Sequence, residues 1–142
     1  MDNKLDKLIG IGFRQIGYWS FGINTLHLHR SFKGTKKNVL YAFIVDSIPM
    51  YVGKAGDFMG VMNAYRHPGK RSTRIRIKGK IIESLMANKK VEVYIFEQTE
   101  DIFYKDIKIN LCHGLEEEII KVMDLEWNII GKSKRKKDII NV

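Results

Sequence analysis

The chain has 142 residues, 44% of them hydrophobic and 29% charged, with 25 Lys and Arg against 16 Asp and Glu for a formal net charge of +9. That length fits one domain with a core of its own, no apolar run approaches the roughly eighteen residues that cross a bilayer, and a single cysteine, Cys112, rules out an internal disulfide framework. The excess of cations points to a polyanionic partner, since neutralising phosphates releases counterions; charge alone does not separate DNA from RNA or an anionic membrane surface.

Residues 1–7 hold no apolar stretch before a small-residue cleavage site, so no signal peptide is expected. The lone thiol fits a reducing, cytoplasmic setting, with Cys112 as a small core hydrophobe. "GFRQIGYWSFG" (12–22) mixes four aromatics with three glycines and has no clean period; its rings read as packing against the sheet that follows. "LHLHR" (26–30) alternates at period two and predicts a short half-buried strand. His27 and His29 share its solvated face and lack the third ligand of a zinc site.

"NVLYAFIVD" (38–46) is a strand rich in β-branched and aromatic residues, 46–49 is turn-like, and "MYVGK" (50–54) runs back as a second strand. From Asp57 as N-cap, "FMGVMNAYR" (58–66) predicts a short helix ended by Pro68-Gly69. Ser72 or Thr73 caps the next helix, in which Ile77, Ile81, Ile82 and Leu85 make one apolar stripe. "VEVYIFEQ" (91–98) is the clearest strand. After a loop, "GLEEEIIKVMDLEWN" (114–128) reads as a final helix with Ile119, Ile120 and Met123 inward, and "GKSKRKK" (131–137) as a basic tail. The order β, β, α, α, β, α predicts a small α+β domain: a three-stranded antiparallel sheet flanked by helices, with an N-terminal addition.

Val39-Leu40-Tyr41 and Tyr51-Val52-Gly53 place their tyrosines ten residues apart on the two strands of the hairpin, and Glu116 and Asn128 follow behind the third strand, twelve residues apart. In kind and order these residues resemble the GIY-YIG nuclease family, whose tripeptides lie on adjacent antiparallel strands, followed by a helix, a third strand and a late helix that holds a glutamate. The resemblance covers 38–131. It leaves 1–37 as an N-terminal extension of unread role and 132–142 as the basic tail. It implies a metal-dependent DNA endonuclease of restriction type that hydrolyses phosphodiester bonds. Tyr41 would take a proton from the attacking water; a phenol with a pKa of about 10 needs a cation to do so, and Lys54 is the candidate. Tyr51 would hydrogen-bond within the site, Gly53 would let a phosphate approach the backbone, and Glu116 would hold Mg²⁺ or Mn²⁺. Tyr65 stands where the family carries histidine or tyrosine, and Asn128 would brace the late helix against the sheet.

The family's arginine is missing, because its position is Val61. Arg66 points about 140° around the helix from residue 61; Arg76, beside the inward-facing Ile77, is the preferred replacement. Without a substitute the rate loss would be on the order of 10²–10³, and the chain would be a DNA-binding protein on a weakened nuclease scaffold. The resemblance implies double-stranded DNA as partner, contacted by Gly53, Arg66, Lys70, Arg71, Arg74, Lys78 and the cations of 132–137. Cutting both strands at one site calls for a homodimer. A third reading, single-stranded RNA stacked on the aromatic N-terminal region, rests on Phe13, Tyr18, Trp19 and Phe21.

Overall fold

The computed structural model describes residues 3–128. In chain order the elements are α1 (Lys4–Ile11), β1 (Arg14–Gly22), β2 (Thr25–Arg30), β3 (Lys37–Val45), β4 (Ile48–Asp57), α2 (Phe58–Arg66), α3 (Ser72–Met86), β5 (Val91–Glu97), β6 (Ile102–Tyr104), β7 (Ile107–Ile109) and α4 (Leu111–Met123). The expected basic tail lies outside the described residues. No described helix is long and apolar enough to cross a membrane.

Five strands form one antiparallel sheet in the order β2-β1-β5-β3-β4, so the expected three-stranded sheet is short by two. The missing pair comes from residues 14–30, which belong to the same sheet. Strand β1 hid its period because Ile16 is an extra residue between the Gln15–Tyr94 and Gly17–Val93 pairs. Such a bulge resets the alternation, and the buried positions therefore jump from Ile16 to Trp19. Strand β2 matches expectation: Leu26 is buried, while His27 and His29 are exposed.

The run Val39 to Val45 is buried throughout because β3 is covered on both faces. Val39, Tyr41, Phe43 and Val45 meet Phe58, Met62 and Tyr65 of α2 and Ile77 and Ile81 of α3. Leu40, Ala42 and Ile44 meet Leu8 of α1 and Cys112, Ile119 and Met123 of α4. The β3–β4 turn is tighter than expected. Only Asp46 and Ser47 lie outside the strands, both at positive φ, the conformation of a two-residue type I′ hairpin loop.

Asp57 caps α2, accepting the Gly60 N–H at 2.8 Å. Neither Ser72 nor Thr73 caps α3: the cap position is Arg71, with no side-chain cap bond. Helix α4 starts three residues earlier than expected, capped by Asn110, and stops at Met123 because Asp124 turns left-handed at φ 50°. Residues 125–128 therefore leave the helix and round the outer edge of β4. Leu125 packs on the α4 side of the sheet and Trp127 on the α2–α3 side.

Candidate active site

Strand β4 is a sheet edge, and alternate residues of an edge strand point unpaired N–H and C=O groups outward. Here the end of the chain meets them in register. Met50 O accepts the Trp127 N–H at 2.9 Å. Asn128 Oδ1 accepts the Val52 N–H, and its Nδ2 donates to Val52 O, both at 3.0 Å. The Lys54 N–H hydrogen-bonds the Glu116 carboxylate. Glu116 and Asn128 thus serve successive outward positions of one strand. Asn128 braces the edge of β4 from the segment after the helix.

On the opposite face, Tyr41 and Gly53 are register partners, as are Phe43 and Tyr51. The Tyr41 hydroxyl is 2.7 Å from that of Tyr65, and Tyr51 also hydrogen-bonds Tyr65. The Tyr41 ring centroid lies 6.2 Å from that of Tyr51 and 6.1 Å from that of Tyr65. The space above Gly53, expected to admit a phosphate, is taken by the Tyr41 ring and hydroxyl, which a Cβ at residue 53 would strike. Gly53→Ala is therefore expected to cost about 1–3 kcal/mol by overpacking, read as a lower urea midpoint at unchanged slope, and to tilt Tyr41 off Tyr65.

Tyr41 is 3% exposed. Burial, then the charges of Tyr65 and Tyr51, the Tyr65 hydrogen bond and the Glu116 charge, hold its pKa well above the ordinary phenol value. The expected help from Lys54 is absent. Side chains alternate across a strand, so Lys54 faces the α4 side, where its ammonium donates to His113 Nδ1 at 2.8 Å. Its field acts on Glu116 instead. Burial pushes the Glu116 carboxyl up; Lys54 opposes this most, Glu117 adds to the rise, and His113 and the Lys54 N–H lower it. The carboxylate and the Tyr41 phenol lie on different sides of β4 yet act on each other electrostatically across its edge at residues 53–54.

The basic residues divide into committed and free. Arg66 Nε donates to Leu26 O at 2.8 Å, tying α2 to β2, and Lys78 Nζ donates to Arg66 O at 3.0 Å. Arg76, the preferred replacement for the missing arginine, donates through Nη2 to Trp127 O at 3.0 Å, and its Nη1 is buried without a partner. It secures the segment rounding β4. Val61 is half-buried against the core and brings no charge. Lys70 and Arg71 are exposed in the α2–α3 connection. Arg74, in the first turn of α3, is half-buried, makes no hydrogen bond or ion pair among the described residues, and acts electrostatically on Tyr65, lowering a pKa that burial and Tyr51 raise.

EndoII of bacteriophage T4, solved as a mutant, superposes with a TM-score of 0.69 at 19% identity, over 89% of this chain and 99% of that one. A restriction endonuclease, HPY188I, solved in complex with product DNA, superposes with a TM-score of 0.50 at 15% identity, over 85% and 80%. The chain shares the fold of these two structures. No family model matches the sequence, and no curated protein does.

His113 was not among the residues expected near Glu116, and Arg74, expected as a DNA contact, was not expected beside Tyr65. His113 precedes Glu116 by three residues, the spacing that puts two side chains on one helix face, and so was within reach of the helical pattern. The effect of Arg74 on Tyr65 had no local signal, since it depends on how α2 and α3 pack. The placement of Lys54 was legible from strand alternation alone.

Proposed function

We propose that the protein is a DNA endonuclease that hydrolyses phosphodiester bonds with Mg²⁺ or Mn²⁺. What supports this reading is the fold shared with two endonucleases, in which Tyr41 and Glu116 flank the edge of β4 from its two sides and act on each other electrostatically. The product DNA bound by HPY188I supports DNA as the partner.

The donor set suits a hard cation. Glu116 offers one carboxylate, and one carboxylate with water completing the shell is a common magnesium arrangement. Glu116 would hold the ion, which supplies a Lewis acid for a phosphate oxygen. Lys54 and the Lys54 N–H keep that carboxylate oriented. Tyr41 works as a neutral phenol: its hydroxyl, fixed by Tyr65, is one end of a hydrogen-bonded set that leads through Tyr65 to the half-exposed Tyr51. That set can orient a water and relay a proton without forming phenolate. Arg74, which makes no hydrogen bond or ion pair among the described residues and acts electrostatically on Tyr65, is the cation offered to the phosphate in place of the arginine that the resemblance puts at Val61. Arg74→Ala should lower single-turnover nicking by on the order of 10²–10³, whereas Arg76→Ala should chiefly lower the melting temperature. Wild-type cutting by Arg74→Ala would remove that residue from the site.

A second reading has its own support: Val61 and the burial of Tyr41 favour a scaffold that binds DNA without cutting it. Nicking of supercoiled plasmid in Mg²⁺ or Mn²⁺, run beside gel-shift measurements, separates the two. Cation-dependent nicking is expected; binding with no nicking in either metal would establish the second reading.

A further inference from the structure

We propose that the β6–β7 hairpin is a dimerisation arm that seats its apolar side chains on the basic body of a second copy of this chain. The hairpin forms a sheet of its own, apart from the five-stranded sheet. Ile102, Phe103, Tyr104 and Ile107 are 40%, 57%, 67% and 66% exposed. A lone two-stranded hairpin is marginal in water, and this one carries its large apolar groups outward. Its base is nonetheless firmly held. Gln98 Nε2 donates to Glu100 O at 3.0 Å and to Ile109 O at 3.1 Å, while Gln98 Oε1 accepts the Leu111 N–H at 2.9 Å where α4 begins. The arm is thus presented in a set direction, which reduces the ordering cost of docking.

Charge selects the occupant. Residues 99–110 hold Glu100, Asp101 and Asp106 against Lys105 and Lys108, in a chain with 25 Lys and Arg against 16 Asp and Glu. Lys108 is paired with Asp101 at 3.1 Å. A net-acidic arm is repelled by phosphates, and surfaces that bind DNA are strongly positive. The same arm is complementary to the basic remainder of another copy, whereas the basic surfaces of two copies repel each other. In a two-fold dimer each arm docks on the other body, so the contact is made twice. The inference is independent of any cleavage activity.

Sedimentation velocity over a micromolar concentration series tests it. The wild-type chain should sediment as a dimer. Phe103→Ser combined with Ile107→Ser, and separately Glu100→Lys combined with Asp106→Lys, should each weaken the dimer about tenfold or more, with unchanged circular dichroism. A wild-type monomer throughout the series, or arm variants that remain as dimeric as wild type, would overturn the proposal. So would arm variants that keep the wild-type oligomeric state and lose DNA affinity, which would make the hairpin a DNA contact.

Discussion

Glu116→Gln is expected to lower the single-turnover nicking rate by on the order of 10²–10³ or more, with plasmid binding retained and the fold slightly stabilised. The amide keeps the shape of the side chain and can still accept the Lys54 N–H, but it no longer offers an anionic oxygen to a cation. The stability sign follows from the raised pKa of this half-buried carboxyl. A carboxyl whose folded pKa lies above its unfolded value binds its proton more tightly when folded. Its stabilising contribution is therefore present below the unfolded pKa and lost as pH rises through the folded pKa. At neutral pH the ionised Glu116 is a cost, and the uncharged amide removes it along with the repulsion from Glu117. Melting temperature and nicking rate, measured on the same sample, decide the matter. A fall in both would mean that activity was lost through the fold, and unchanged nicking would remove Glu116 from the mechanism.

Asn128→Ala should act in the opposite sense on stability. Asn128 is 8% exposed and pairs with both the N–H and the C=O of Val52. Truncation leaves two buried backbone groups without partners, at about 1–3 kcal/mol each, the largest loss expected from any single change at this edge. Urea unfolding should show it as a lower midpoint with an unchanged slope. Asn128→Asp should be no milder, because a carboxylate oxygen would replace the amide N–H facing Val52 O. Nicking should decline as well, since the segment that Asn128 anchors follows α4, which carries Glu116. A variant with wild-type stability would show that this edge is held by Trp127 alone.

Legibility followed the range of the signal. The β3–β4 hairpin, helix α2 with its Asp57 cap and strand β5 were readable because period, turn chemistry and capping act over a few residues. Strand β1 was obscured by one inserted residue, Ile16, which changes which residues face inward without changing the strand. The end of α4 was missed because the apolar pattern continues into Leu125 and Trp127. Those two residues bury on opposite sides of the sheet, and only the left-handed turn at Asp124 separates them from the helix. The site was half legible. Tyr41, Tyr51, Gly53 and Glu116 could be named from their order in the chain, whereas the turn of Lys54 toward His113 and the bond of Arg76 to Trp127 O depend on contacts far apart in sequence.

By itself the sequence determined the class of the domain, its strongest elements and the residue types brought to the β4 edge, since each depends on the chemistry of near neighbours. Only the tertiary structure decided that Tyr41 is a buried phenol held by Tyr65, that Glu116 rather than Tyr41 receives the Lys54 charge, and that Arg74 lies within electrostatic reach of Tyr65. Charge state and availability depend on burial and on partners 20 or more residues away along the chain, and those are set by how sheet and helices pack, which no local pattern encodes.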